Sequence, residues 1–85
     1  MWKNTTSYSK SDDKSEVRTT SLKVDGLEIT VTRYVGYGYE LVMHCHNLGI
    51  NKKPLGMSNM EEAQEKALKI VKARAKKILY AVEQI

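Results

Sequence analysis

An Asp-Gly pair between two alternating runs, at Val24-Asp25-Gly26-Leu27, constrains this chain more than any other feature. A two-residue type I′ turn needs positive φ at both central positions, and Asp-Gly tolerates that well. Such a turn fixes the register of the strands it joins. Val24 then faces Leu27, Leu22 faces Ile29 and Thr20 faces Val31. On the other face Lys23 meets Glu28, Ser21 meets Thr30 and Thr19 meets Thr32. The apolar pairs share one face, and the opposite charges of Lys23 and Glu28 meet on the other, as cross-strand pairing favours. Turn chemistry and hydrophobic pattern predict the same hairpin.

A turn at Val35-Gly36-Tyr37-Gly38 leads to a third predicted strand, from about Tyr39 to His46. Alternation puts Tyr39, Leu41, Met43 and Cys45 toward the core, and Glu40, Val42, His44 and His46 away from it. Asn47 to Met57, with Gly49, Pro54 and Gly56, reads as a loop. Ser58-Asn59-Met60-Glu61 then has the form of a capping box, the Ser58 hydroxyl taking the Glu61 amide.

No Gly or Pro follows before Ile85. At 100° per residue, Met60, Ala63, Ala67, Val71, Ala75, Ile78, Val82 and Ile85 form one stripe, flanked by Leu68, Ile70, Leu79 and Ala81. A helix of about 26 residues is about 39 Å long. Strands of about eight residues reach only about 27 Å. The helix is therefore expected to outrun its sheet, and Ile78, Val82 and Ile85 need another cover. The N-terminal arm or a second copy of the chain could supply it.

The expected fold class is α+β: a three-stranded antiparallel sheet packed against one long C-terminal helix, in the order β-β-β-α, over residues 17–85. Residues 1–16, rich in Ser, Thr, Lys and Asp, read as a polar mobile arm. Trp2 and Tyr8 leave open a fourth, edge strand between them.

Composition narrows the function classes. Eighty-five residues make one domain, and 41% hydrophobic content is that of a globular chain. With no Phe, the core must be aliphatic. No apolar run approaches the roughly 18 residues a membrane span needs, and Met1 to Ser7 form no apolar signal region. Cys45 is the sole cysteine, which suits a reducing compartment, so a cytoplasmic location is expected. The net charge of +4 is local, arising at Lys52, Lys53 and the second half of the helix.

His44-Cys45-His46 suggests metal or thiol chemistry, but in a strand the two histidines point one way and the thiol the other. Two ligands close no site, and Cys45 lacks a base on its own face, so a metal or thiol site at His44-Cys45-His46 stands as the second alternative, behind the two surfaces that follow. Neither a phosphate-cradling glycine loop nor a catalytic carboxylate pair occurs, so no enzyme, no cofactor and no metal is expected. Two surfaces remain. The outer sheet face carries Thr19, Ser21, Thr30, Thr32, Tyr34, Val42 and His44, a nearly neutral set suited to protein contact together with Ile78, Val82 and Ile85. The alternative is a low-specificity nucleic-acid surface of Lys52, Lys53, Lys69, Lys72, Lys76 and Lys77, with Tyr80 beside it. The bland account of the helix charges is complementarity to the macrodipole and Glu62–Lys66 and Glu65–Lys69 pairs.

The strand order with Ser58-x-x-Glu61-Glu62-Ala63 opening the helix resembles the arm-type DNA-binding domain of tyrosine integrases, which lays its sheet in a DNA groove. The corresponding face here carries Glu28 and Glu40 against Lys23, without a basic surface. The order also resembles the double-stranded-RNA-binding domain, but Asn59, Met60, Glu61 and Glu62 stand where that domain has its lysine cluster. In its polar N-terminus, hairpin and Met60-Glu61-Glu62-Ala63 helix start, the chain is similar to small phage and prophage proteins of unassigned role. That resemblance implies binding to a host protein.

Overall fold

Residues 1–8, 10, 16–33 and 40–85 are described in the computed structural model of the chain. The order of elements is β1 (Lys3–Asn4), β2 (Thr19–Val24), β3 (Leu27–Arg33), β4 (Leu41–Cys45), a 3-10 turn (His46–Leu48), β5 (Ile50–Pro54) and α1 (Met60–Glu83). The five strands form one antiparallel sheet in the order β1-β2-β3-β4-β5. The α+β class and the C-terminal helix agree with the sequence reading; the sheet has five strands where three were expected.

The hairpin has the predicted register at all six pairs, from Thr19 with Thr32 to Val24 with Leu27. Asp25 and Gly26 take φ of 47° and 85°, as the tight turn requires. Lys23 Nζ lies 3.2 Å from Glu28 Oε2 on the exposed face.

Both additional strands lie at edges. The short β1 pairs Lys3 with Ser21 and Asn4 with Thr20. Beyond it, the Thr6 hydroxyl bonds the Arg18 and Thr19 amides, and Tyr8 donates to the Glu16 carbonyl. The edge strand left open between Trp2 and Tyr8 is thus ladder-paired over two residues only. β5 falls within the expected loop. Its sequence, Ile50 to Pro54, buries only Ile50, and an edge strand can hold Pro54 because one side of its ladder is open. After β5 the backbone stays beside β4: Leu55 N donates to Leu41 O and Leu41 N to Met57 O.

The core lies between sheet and helix. Ile29, Val31, Leu41, Met43, Cys45, Ile50 and Leu55 meet Ala63, Ala67 and Val71, and Trp2, Leu22, Leu27 and Leu48 pack around the margin. The alternation in β4 is as expected for Leu41, Met43 and Cys45; Tyr39 lies outside the described residues. Small side chains on the buried helix stripe let the helix approach the sheet closely.

The helix begins one residue later than the capping-box reading placed it. Asn59, not Ser58, is the cap, its side chain accepting from the Glu62 amide at 3.0 Å. Either residue is chemically suited to the role. Packing decides between them, because Met60 is drawn in against β2, where its sulfur accepts from the Thr20 hydroxyl.

Candidate functional site

The helix is 24 residues, about 36 Å, and the longest strand is seven residues, about 23 Å. Buried helical positions stop at Val71, and every residue from Lys72 to Ile85 is exposed. The helix leaves the sheet near the 3-10 turn and projects beyond it. The molecule is accordingly 53 Å long, with a radius of gyration of 14.2 Å where a compact chain of this size would have about 12 Å. On the projecting part, Ile78, Leu79, Val82 and Ile85 are 43%, 58%, 57% and 104% exposed. The expected mismatch between helix and sheet is present, and the described part of the N-terminal arm lies along β2 instead of covering it.

The outer sheet face differs from the expected contact surface. Val42 is fully buried, and Ser21 is 8% exposed. β5 contributes by turning β4 into an interior strand, with Thr32 on one side of Val42 and Pro54 on the other. Ser21 is covered from the other edge, where Lys3 of β1 pairs with it and Thr5 follows. Its hydroxyl joins Thr5 at 3.0 Å and Thr30 at 3.2 Å, while Thr19 and Thr32 bond each other at 2.7 Å. These hydroxyls satisfy one another. Tyr34 lies outside the described residues.

His44 and His46 do not share a strand face, because β4 ends at Cys45 and His46 opens the 3-10 turn. The register of β4 and β5 shifts between Met43 and Cys45, so Asn51 and Lys52 together oppose His44. This is a bulge, with Lys52 at φ 50°. The Lys52 amide donates to His44 Nδ1 at 3.2 Å. Asn51 Oδ1 lies 3.0 Å from the same nitrogen. The imidazole thus serves the bulge. Cys45 is buried and forms no disulfide. Among the described residues no three His, Cys, Asp or Glu side chains cluster as a metal site would require, and no helix is long and apolar enough to cross a membrane.

The basic residues divide into two groups. Lys53, Arg74 and Lys77, with Ile70 and Ala73, line an open groove of about 300 Å³ between β5 and the helix. No carboxylate is among its lining residues. Lys69, Lys72, Lys76 and Tyr80 lie on the outward side of the helix, away from the sheet. Lys66 turns inward and donates to the Leu55 carbonyl at 2.8 Å. Sequence reasoning named Lys53 and Lys77 but not Arg74. Its helical angle, a cation within the apolar stripe between the positions of Ala63 and Ala67, is the signal that points to it.

Compared with family models, curated proteins and solved structures, the chain matches none of them.

Proposed function

We propose that the chain is a small non-enzymatic binding protein that works through protein–protein contact, and that its contact surface is the projecting end of α1. The observation carrying this reading is the run of exposed apolar side chains at Ile78, Leu79, Val82 and Ile85 on a helical end that the described strands do not reach. A helical segment of about twelve residues is marginal in water without tertiary packing. A clustered apolar surface on such a segment is suited to a partner. The outer sheet face supports this role less well, since Val42 is covered and the Ser and Thr hydroxyls bond one another.

The test is affinity capture with the whole chain, comparing wild type with Ile78→Lys and Val82→Lys and with Thr30→Lys as the sheet-face control. The helix variants should lose a specific protein, which includes a second copy of the chain, while the control retains it. Equal capture by all four would remove the reading.

The groove of Lys53, Arg74 and Lys77 favours a second reading, weak binding to nucleic-acid phosphates. Fluorescence anisotropy with a generic duplex would then show binding that weakens steeply with salt, and Arg74→Gln would reduce it. No binding at low salt would eliminate this reading.

A further inference from the structure

We propose that a second copy of this chain covers the projecting helix, pairing with it antiparallel over residues 75–85 about a two-fold axis near Tyr80. This names the partner for the contact reading above and rests on it.

The first argument is the spacing of the apolar residues. Leu68, Val71, Ala75, Ile78, Val82 and Ile85 follow a 3-4-3-4-3 rhythm, the seam of a helix that packs along another helix. The seam is continuous across the edge of the sheet. Val71 is buried on the sheet, whereas Ile78 and Ile85, one and two heptad steps further on, are open. Between 75 and 85 the flanking positions nearest the seam are Leu79 and Ala81. Lys76, Lys77, Tyr80, Glu83 and Gln84 all fall outside it. The segment thus carries no charge that pairing would bury.

Sterics select the antiparallel direction. The sheet occupies the same side of the helix as the seam, over Met60 to Val71. Two copies paired in parallel would have to place both sheets in the space between their helices. An antiparallel pair puts the sheets at opposite ends. With the axis near residue 80, Ile78 of one copy faces Val82 of the other, and Ala75 faces Ile85. Each layer sets a larger side chain against a smaller one, which lets the seam interdigitate. The partner's Ile85 lies beside Ala75, one turn beyond the last residue buried on the sheet.

The area agrees with a reversible dimer. The exposed fractions of Ile78, Leu79, Val82 and Ile85 leave at most roughly 500 Å² of surface per copy, a ceiling of about 1,000 Å² for a symmetric pair, which is where specific interfaces begin. The two-fold arrangement uses the same patch twice, as an isologous interface must.

Sedimentation equilibrium of the whole chain tests the proposal. At high micromolar concentration the mass should approach twice the 9.7 kDa of the chain and return to one chain on dilution. Ile78→Glu and Val82→Glu should weaken association at least tenfold while circular dichroism retains the sheet signal. A short bifunctional thiol cross-linker should join copies of Leu79→Cys near the axis, but not copies of Ile85→Cys, which the antiparallel pairing holds about ten residues apart along the helix. Cross-linking of Ile85→Cys instead would overturn the direction. A wild-type mass of one chain at every concentration would overturn the dimer. If such a monomer still captured a different protein through Ile78 and Val82, the contact reading would survive without the second copy; if it captured nothing through them, both would fall.

Discussion

The two halves of α1 carry the same pattern and meet different fates. From Met60 to Val71, Ala63, Ala67 and Val71 are buried on the sheet. From Lys72 onward, Ile78, Val82 and Ile85 continue the stripe with larger side chains and remain exposed. The second half is the more hydrophobic on its stripe, yet it is the half without a core. Amphipathicity specifies which side of a helix seeks burial; the length of the sheet specifies how much of that side obtains it. The first half is therefore part of the core of the fold, and the second is left exposed.

The sharpest way to break this contrast is to truncate side chains beneath each half. Met43→Ala, in the sheet under the first half, should cost about 2–5 kcal/mol by urea denaturation, because it opens a cavity in a closed core. Val82→Ala, in dilute protein, should stay within about 0.5 kcal/mol of wild type. A comparable loss from Val82→Ala at high dilution would mean that the projecting half is part of the folded core. Overpacking gives the next largest effect. Ala67→Leu should destabilise by about 1–3 kcal/mol, as its side chain has no space between helix and sheet. Ala75→Leu should be tolerated in thermal melts of the dilute chain, and it would also enlarge the proposed seam.

The cap offers a smaller test of where the first half begins. Asn59→Ala should lower stability by about 1 kcal/mol, whereas Ser58→Ala should leave the melting temperature nearly unchanged. Smallest of all is the exposed pair on the hairpin. Lys23→Gln should cost about 0.2–1 kcal/mol at low salt and less as salt rises, since both partners face solvent. A loss independent of salt would point to packing by the lysine stem in place of charge.

How much was legible varied with the range of the interactions concerned. The hairpin could be read because Asp25-Gly26 sets its turn and every pairing follows within fourteen residues of sequence. The stripe of the helix could be read for the same reason. β5 could not, since Asn51, Lys52, Lys53 and Pro54 have the composition of a loop and form a strand only because β4 offers an edge. The exposure of Val42 was misjudged as a consequence: alternation gave its face correctly, but its neighbour Pro54 arrives from a strand that the pattern did not reveal. Choosing Ser58 over Asn59 failed for a related reason, as two good caps stand side by side and contact between Met60 and Thr20 separates them. The groove at Lys53, Arg74 and Lys77 required the same knowledge, because only the path of β5 brings Lys53 to the helix.

By itself, the sequence determined the hairpin register, the apolar face of the helix and an excess of helix length over strand length, all of which follow from local backbone chemistry and periodicity. Tertiary structure alone decided that the sheet has five strands, that Val42 and Ser21 are covered, and that helix burial ends at Val71. Those outcomes depend on which strand edges meet and where the sheet stops. No residue carries that information in its own neighbourhood.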